Sequence, residues 1–144
     1  MKKHKGQAVV EFAVVLPLFL LVLFGIIYSG MLFYDYTVLS NLARSGAREA
    51  AIVQDVSNIA GIQQYYQDKL SDKNSPLITS LYSPKADEEF IIASDPADAN
   101  FSQGIKVTIT MKRNAVPILV DKVLPDEYKI QYFMKRDEQS TSSS

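Results

Sequence analysis

A chain of 144 residues has room for one apolar anchor and one modest domain. A formal net charge of −1 leaves no basic footprint for nucleic acid, and the absence of cysteine excludes disulfides, thiol catalysis and cysteine-ligated zinc. The single histidine, His4, stands in a lysine-flanked start and cannot by itself make a metal site or a catalytic dyad.

Residues 1–6, MKKHKG, form a short basic head, read as a leader. Residues 7–53 read as one long stalk helix. From Phe12 to Tyr34 nothing is charged. At a helical rise of 1.5 Å per residue that run spans roughly 35 Å, enough for a bilayer's hydrocarbon core of about 30 Å. Positive residues stay on the cytoplasmic side, which places the head inside and the C-terminal domain outside. A secretory signal peptide has a shorter apolar core of about 7–15 residues that ends at a small-residue cleavage site. Here the apolar run continues to Tyr34 with no such site after a short core. A plain signal anchor fits this hydrophobicity but does not explain Glu11.

Glu11 is the one charged residue between Lys5 and Asp35. A carboxylate carried into the bilayer costs about 2.5–3.5 kcal/mol on insertion scales. One reading keeps it near the interface, helped by the positive end of the helix dipole. The other gives it a cation. Cleavage after Gly6 would make Gln7 a new N-terminus with a free α-amine. One subunit's Glu11 could then meet a neighbour's amine and fix the register between chains. Pro17 removes a backbone hydrogen bond and crowds the carbonyl of Ala13. Membrane helices tolerate this where neighbours re-satisfy the freed group. It is either a harmless kink or a segment that loosens when the subunit leaves the bilayer.

The helical pattern continues past Tyr34. Ala43, Ala47 and Ala51 repeat at four-residue spacing, as do Gly46 and Ala50. Small residues so spaced let backbones approach closely. This half packs either against its own domain or against neighbouring stalks. Arg44, Arg48 and Glu49 lie on the more polar side. The arginines, four apart, repel each other, so a partner carboxylate suits one of them.

The stretch Gly6, Glu11-Phe12, Leu16-Pro17-Leu18, followed by the Ala-Arg-rich segment Asn41–Ala51, resembles the TadE-like family. These are pilin-like proteins of the tight-adherence pilus, within the type IV pilin superfamily. The resemblance covers roughly residues 5–52. It implies a minor pilin or pseudopilin with a pilin-like fold, held in the bacterial cytoplasmic membrane and available for incorporation in the extracellular pilus. It implies cutting after Gly6 by a prepilin peptidase, methylation of the new N-terminus at Gln7, registration through Glu11, and helix packing through Phe12, Pro17, Ala43, Ala47 and Ala51. The partners implied are other pilin or pseudopilin subunits, the peptidase, an inner-membrane assembly platform and the lipid bilayer, with no nucleic acid and no cofactor.

Residues 54–136 read as an extracytoplasmic α+β domain. Val56, Ile59, Ile62, Tyr66 and Leu70 fall at helical spacings. The loop that follows is broken by Pro76 and Pro84. Glu88–Ser94 reads as a buried strand. In Ile105–Lys112 the residues Ile105, Val107, Ile109 and Met111 are expected to face inward, and Lys106, Thr108, Thr110 and Lys112 to face water. Pro117–Pro125 reads as a short helix or covering loop, Tyr128–Lys135 as a last strand, and 137–144 as a disordered tail. One antiparallel sheet and one or two helices should thus pack on the stalk's outer half. About 85 residues bury only a modest core alone, so docking on the stalk should contribute. No nucleophile–base set presents itself, so no enzyme is expected. Asp87, Glu88, Glu89, Asp95 and Asp98 lack the order of a calcium loop and read as a solvated rim.

Overall fold

The computed structural model describes residues 3–53, 57–71, 75–85, 88–94, 104–114 and 124–136, with side chains from residue 7 onward. Two helices and four strands run in the order α1 (Lys3–Ile52), α2 (Ser57–Leu70), β1 (Tyr82–Pro84), β2 (Ile91–Ser94), β3 (Gly104–Arg113) and β4 (Glu127–Lys135). The chain divides into two units, Met1–Tyr34 and Asp35–Ser144.

The first unit is helix. Good helix formers and the absence of any break but Pro17 carry it, and the helix runs through that proline. Positions 7 to 30 are exposed on every side.

The second unit is α+β. β3 lies at the centre of an antiparallel sheet. Its β-branched alternation, Ile-Lys-Val-Thr-Ile-Thr, suits a pleated, half-buried surface. β4 pairs along nearly all of it, from Gly104↔Lys135 to Lys112↔Glu127. The other side is shared: β1 pairs at one end, Tyr82↔Arg113 to Pro84↔Met111, and β2 at the other, Ile91↔Thr108 to Ser94↔Ile105. Pro84, expected to break the chain, is tolerated because β1 is an edge strand. The expected strand from Glu88 begins only at Ile91, since Glu88 N donates to Lys85 O at 3.0 Å and closes a turn.

Ile105, Val107, Ile109 and Met111 are fully buried, as the alternation requires. Thr110 is buried too, against expectation. Its cross-strand partner is Lys129, and Lys129, Glu88, Lys85 and Glu127 form a chain of ion pairs at 3.4–3.9 Å across that face. Aliphatic stems of such residues shield what lies under them.

α2 closes the outward edge of β2. Gln67 Nε2 donates to Phe90 O at 3.1 Å, and Ile92 N donates to Gln63 Oε1 at 3.0 Å. Two glutamines one helical turn apart thereby satisfy backbone groups that would otherwise stand open. Ile59, Tyr66 and Leu70 are buried on the same helix. Val56, the segment 117–123 of the expected Pro117–Pro125 element, and the tail 137–144 lie outside the described residues.

Candidate functional site: the N-terminal helix

The residues singled out by sequence fall in two places. Gln7, Glu11, Phe12 and Pro17 stand exposed on the helix of the first unit. Gly6 lies in the same helix. From Gln7 through Tyr34 the only charged side chain is Glu11. An α-helix apolar all round needs an apolar surrounding, either a bilayer or other helices. By length and composition α1 can cross a membrane.

Ala43 and Ala47 belong to the second unit and have no exposed surface. With Asp35, Leu39, Gly46 and Ala50 they make a buried stripe at spacings of three and four. Ala51 is half-buried. Of the two readings left open for these small residues, the geometry puts Ala43 and Ala47 in the core of their own domain. Arg44, Arg48 and Glu49 are exposed.

Two residues whose roles sequence reasoning missed organise this half of the helix. The spacing of Gly46 and Ala50 marks Gly46 as a place of close approach but does not say what approaches. A Cβ built there would lie 2.5 Å from Phe90 Cζ. Only a residue without a side chain admits that ring, which stacks on Tyr66 at 4.9 Å between centroids. The Tyr66 hydroxyl donates to Glu49 Oε1 at 2.9 Å. Burial, reinforced by this carboxylate, pushes the Tyr66 phenol well above its ordinary range. Tyr65, its neighbour, stays outside, with the Lys69 ammonium 5.0 Å over its ring.

The second is Asp35, the first charge after the apolar run. It is only 3% exposed. Its carboxylate accepts hydrogen bonds from Ile78 N at 2.8 Å, Thr79 N at 3.0 Å and Thr79 Oγ1 at 2.7 Å. A buried carboxylate needs such partners. Burial, and then the nearby charge of Asp35, push the Tyr128 phenol up to about 12. Its position at the end of an apolar run was the available signal.

The other end of this helix half is also held. The Arg136 guanidinium donates to Val53 O, just past Ile52. A cation at a helix C-terminus satisfies orphan carbonyls and suits the dipole.

Among the described residues no group of three or more His, Cys, Asp or Glu gathers as a metal site. Of the loose acidic set, Asp87, Asp95 and Asp98 lie outside the described residues, and Glu88 is ion-paired with Lys85 and Lys129.

Comparison with known proteins adds one finding to this geometry. No curated protein and no solved structure matches the chain. The family model described as TadE-like protein matches residues 6–48. That span takes in the exposed apolar helix and the buried small-residue turns that follow it, and over those residues the chain is similar to the TadE-like family.

Proposed function

We propose that this protein is a minor pilin or pseudopilin of a tight-adherence pilus, a structural subunit without catalytic activity of its own. It is anchored in the bacterial cytoplasmic membrane with its basic head inside and the α+β domain outside. A prepilin peptidase cuts after Gly6, and Gln7 becomes the methylated N-terminus. The subunit then joins other pilin-like subunits and the inner-membrane assembly platform by lateral packing of its helix, and supports surface adherence.

The observation that carries this reading is Glu11 in the otherwise uncharged run from Gln7 to Tyr34, five positions after Gly6 and exposed on the helix surface. A lone carboxylate there is costly unless it meets a cation, and a newly made α-amine on a neighbouring chain is the cation that processing supplies. The match to the TadE-like family over the same residues supports it.

The test is the intact mass of the full chain expressed with and without its cognate prepilin peptidase. Loss of Met1–Gly6 only when the peptidase is present supports the proposal. A chain uncut in both cases overturns processing and leaves a single-pass anchored accessory domain. Glu11→Ala should leave membrane insertion intact and abolish incorporation into the pilus machinery. Normal incorporation would remove the role given to Glu11.

A further inference from the structure

Asp35 does more than stabilise a loop. The residues it holds belong to Ser75–Pro84, ten consecutive residues without a charge. Within them Pro76 and Ile78 are exposed, Ile78 at 53%, and Leu77 is half-buried. Beside Asp35 on the helix, Tyr36 is 53% exposed. Apolar side chains facing out of a loop are unusual enough to need a surrounding when they cluster.

The position of the cluster is fixed by bonds. Asp35 is the residue after Tyr34, where the apolar run ends. Hydrogen bonds of 2.8 and 3.0 Å tie Ile78 N and Thr79 N to its carboxylate. A helical side chain leans toward the helix N-terminus, which for Asp35 is the direction of the apolar run. The clamped backbone is thus bonded to the residue that directly follows the run in the chain. If residues 12–34 cross a bilayer, that level is the boundary between acyl chains and headgroups, where tyrosine is favoured and shallow apolar groups bury about 5–10 Å deep.

We propose that Tyr36 and the segment Pro76-Leu77-Ile78 form a membrane-surface contact, seated in the lipid interface and held at depth by the Asp35 carboxylate. The proposal rests on the membrane-anchored reading of the helix. The partner is lipid because Asp35, which holds the segment, and Tyr36 directly follow the apolar run in the chain, and tyrosine is favoured where such a run ends. Asp35 acts as a positioning residue, and the side chains that touch lipid are Tyr36, Pro76 and Ile78.

The chain contains no tryptophan, so single tryptophans report cleanly. The full chain is reconstituted in phosphatidylcholine–phosphatidylglycerol vesicles, with and without lipids brominated near the headgroup end of the acyl chain. Ile78→Trp and Tyr36→Trp are compared with Leu21→Trp inside the apolar run and with Phe133→Trp, a site 54% exposed on β4. The expected result is a blue-shifted emission at positions 78 and 36 that loses most of its intensity to bromine, with position 133 unaffected. Adding Asp35→Ala should release position 78 from the quencher while position 21 keeps its response to quenchers placed deeper. A position 78 that is blue-shifted but unquenched is covered by protein and overturns the proposal. So does water-like emission there. Quenching at 21 without quenching at 78 and 36 sinks this inference alone, whereas no quenching at 21 sinks the membrane reading with it. Quenching at 78 unchanged by Asp35→Ala overturns the role of the clamp.

Discussion

The two halves of α1 are built for different solvents. From Gln7 to Gly30 every position is exposed, and the large side chains among them are Val, Leu, Ile and Phe with one tyrosine. From Asp35 to Ile52 the exposed positions include Arg44, Arg48 and Glu49 along with Tyr36 and Ile52, and the buried ones are Asp35, Leu39, three alanines and Gly46. The first half is apolar without a preferred face. The second is two-faced, and its buried face is made mostly of small residues. Apolarity alone therefore does not say where a helix is packed; its periodicity and the size of its residues do.

The sharpest test of this contrast exchanges the same residue type in the two settings. Phe90 has no exposed surface and stacks on Tyr66. Phe90→Ala should cost the second unit about 3–5 kcal/mol, the range for a buried phenylalanine. Phe19, 59% exposed on the first helix half, should change domain stability by less than about 0.5 kcal/mol when made alanine. Denaturant unfolding of the full chain in detergent, followed by near-ultraviolet circular dichroism, measures both. Equal losses would mean that the exposed half contributes to the domain's core.

Asp35 comes next in size. Asp35→Ala leaves Ile78 N and Thr79 N without their acceptor. Both bonds are part-buried, so each orphaned donor costs less than the roughly 1–3 kcal/mol of a fully buried one, and a loss of about 1–3 kcal/mol is expected in the same assay. Asp35→Asn keeps one acceptor oxygen and should lose less. A neutral Asp35→Ala would show that the loop is held by packing alone.

Glycines of one helix sharpen the comparison further. Gly25 and Gly30 have open space where a Cβ would go, while Gly46 has Phe90 at 2.5 Å. Alanine gains up to about 1 kcal/mol of helix propensity at any of them. At Gly46 that gain is outweighed by overpacking of about 1–3 kcal/mol, because the ring must move. Gly46→Ala should therefore lower the unfolding midpoint, and Gly25→Ala and Gly30→Ala should not. A stabilised Gly46→Ala would mean that Phe90 swings aside freely.

These same residues show what the sequence made legible. The span Phe12–Tyr34 could be read from its lack of charge, and the inward face of β3 from strict alternation at Ile105, Val107, Ile109 and Met111. The helix, the second helix and the antiparallel sheet followed from such local patterns. What escaped depended on contacts between distant segments. Asp35 and Thr79 are 44 positions apart, and nothing local marks a carboxylate as a loop clamp. Gly46 could be read as a site of close approach, but not which group approaches, because Phe90 lies in a different element. Thr110 read as solvent-facing because alternation gives a face and says nothing of ion-paired side chains that cover it. The small residues Ala43 and Ala47 fitted two packings equally well, since close approach requires the same residue types in either case.

The smallest effect at neutral pH becomes visible only in alkali, and it belongs to the second unit alone. Tyr128 packs edge-on against Tyr82 at 4.7 Å, and burial with the nearby Asp35 charge raises its phenol from 10.0 to about 12. Burial raises Tyr82 as well, with Arg113 opposing and Asp126 adding to the shift. The fold thus favours the neutral phenol. Its contribution to stability is complete below pH 10.0, the ordinary value, and is lost as pH climbs toward about 12. Stability of the wild-type chain should be flat from neutrality to about pH 9 and then fall. Tyr128→Phe has no proton to lose, so it should flatten that fall while leaving the first helix half, which holds Tyr28 and Tyr34 on exposed surface, unchanged. Phenolate absorbance against pH gives a second reading, with the latest-titrating fraction diminished in the variant. A wild-type chain whose tyrosines all ionise together near pH 10 would show that Tyr128 is open to water, and that the inner face of the sheet is not closed over by the helix that carries Asp35.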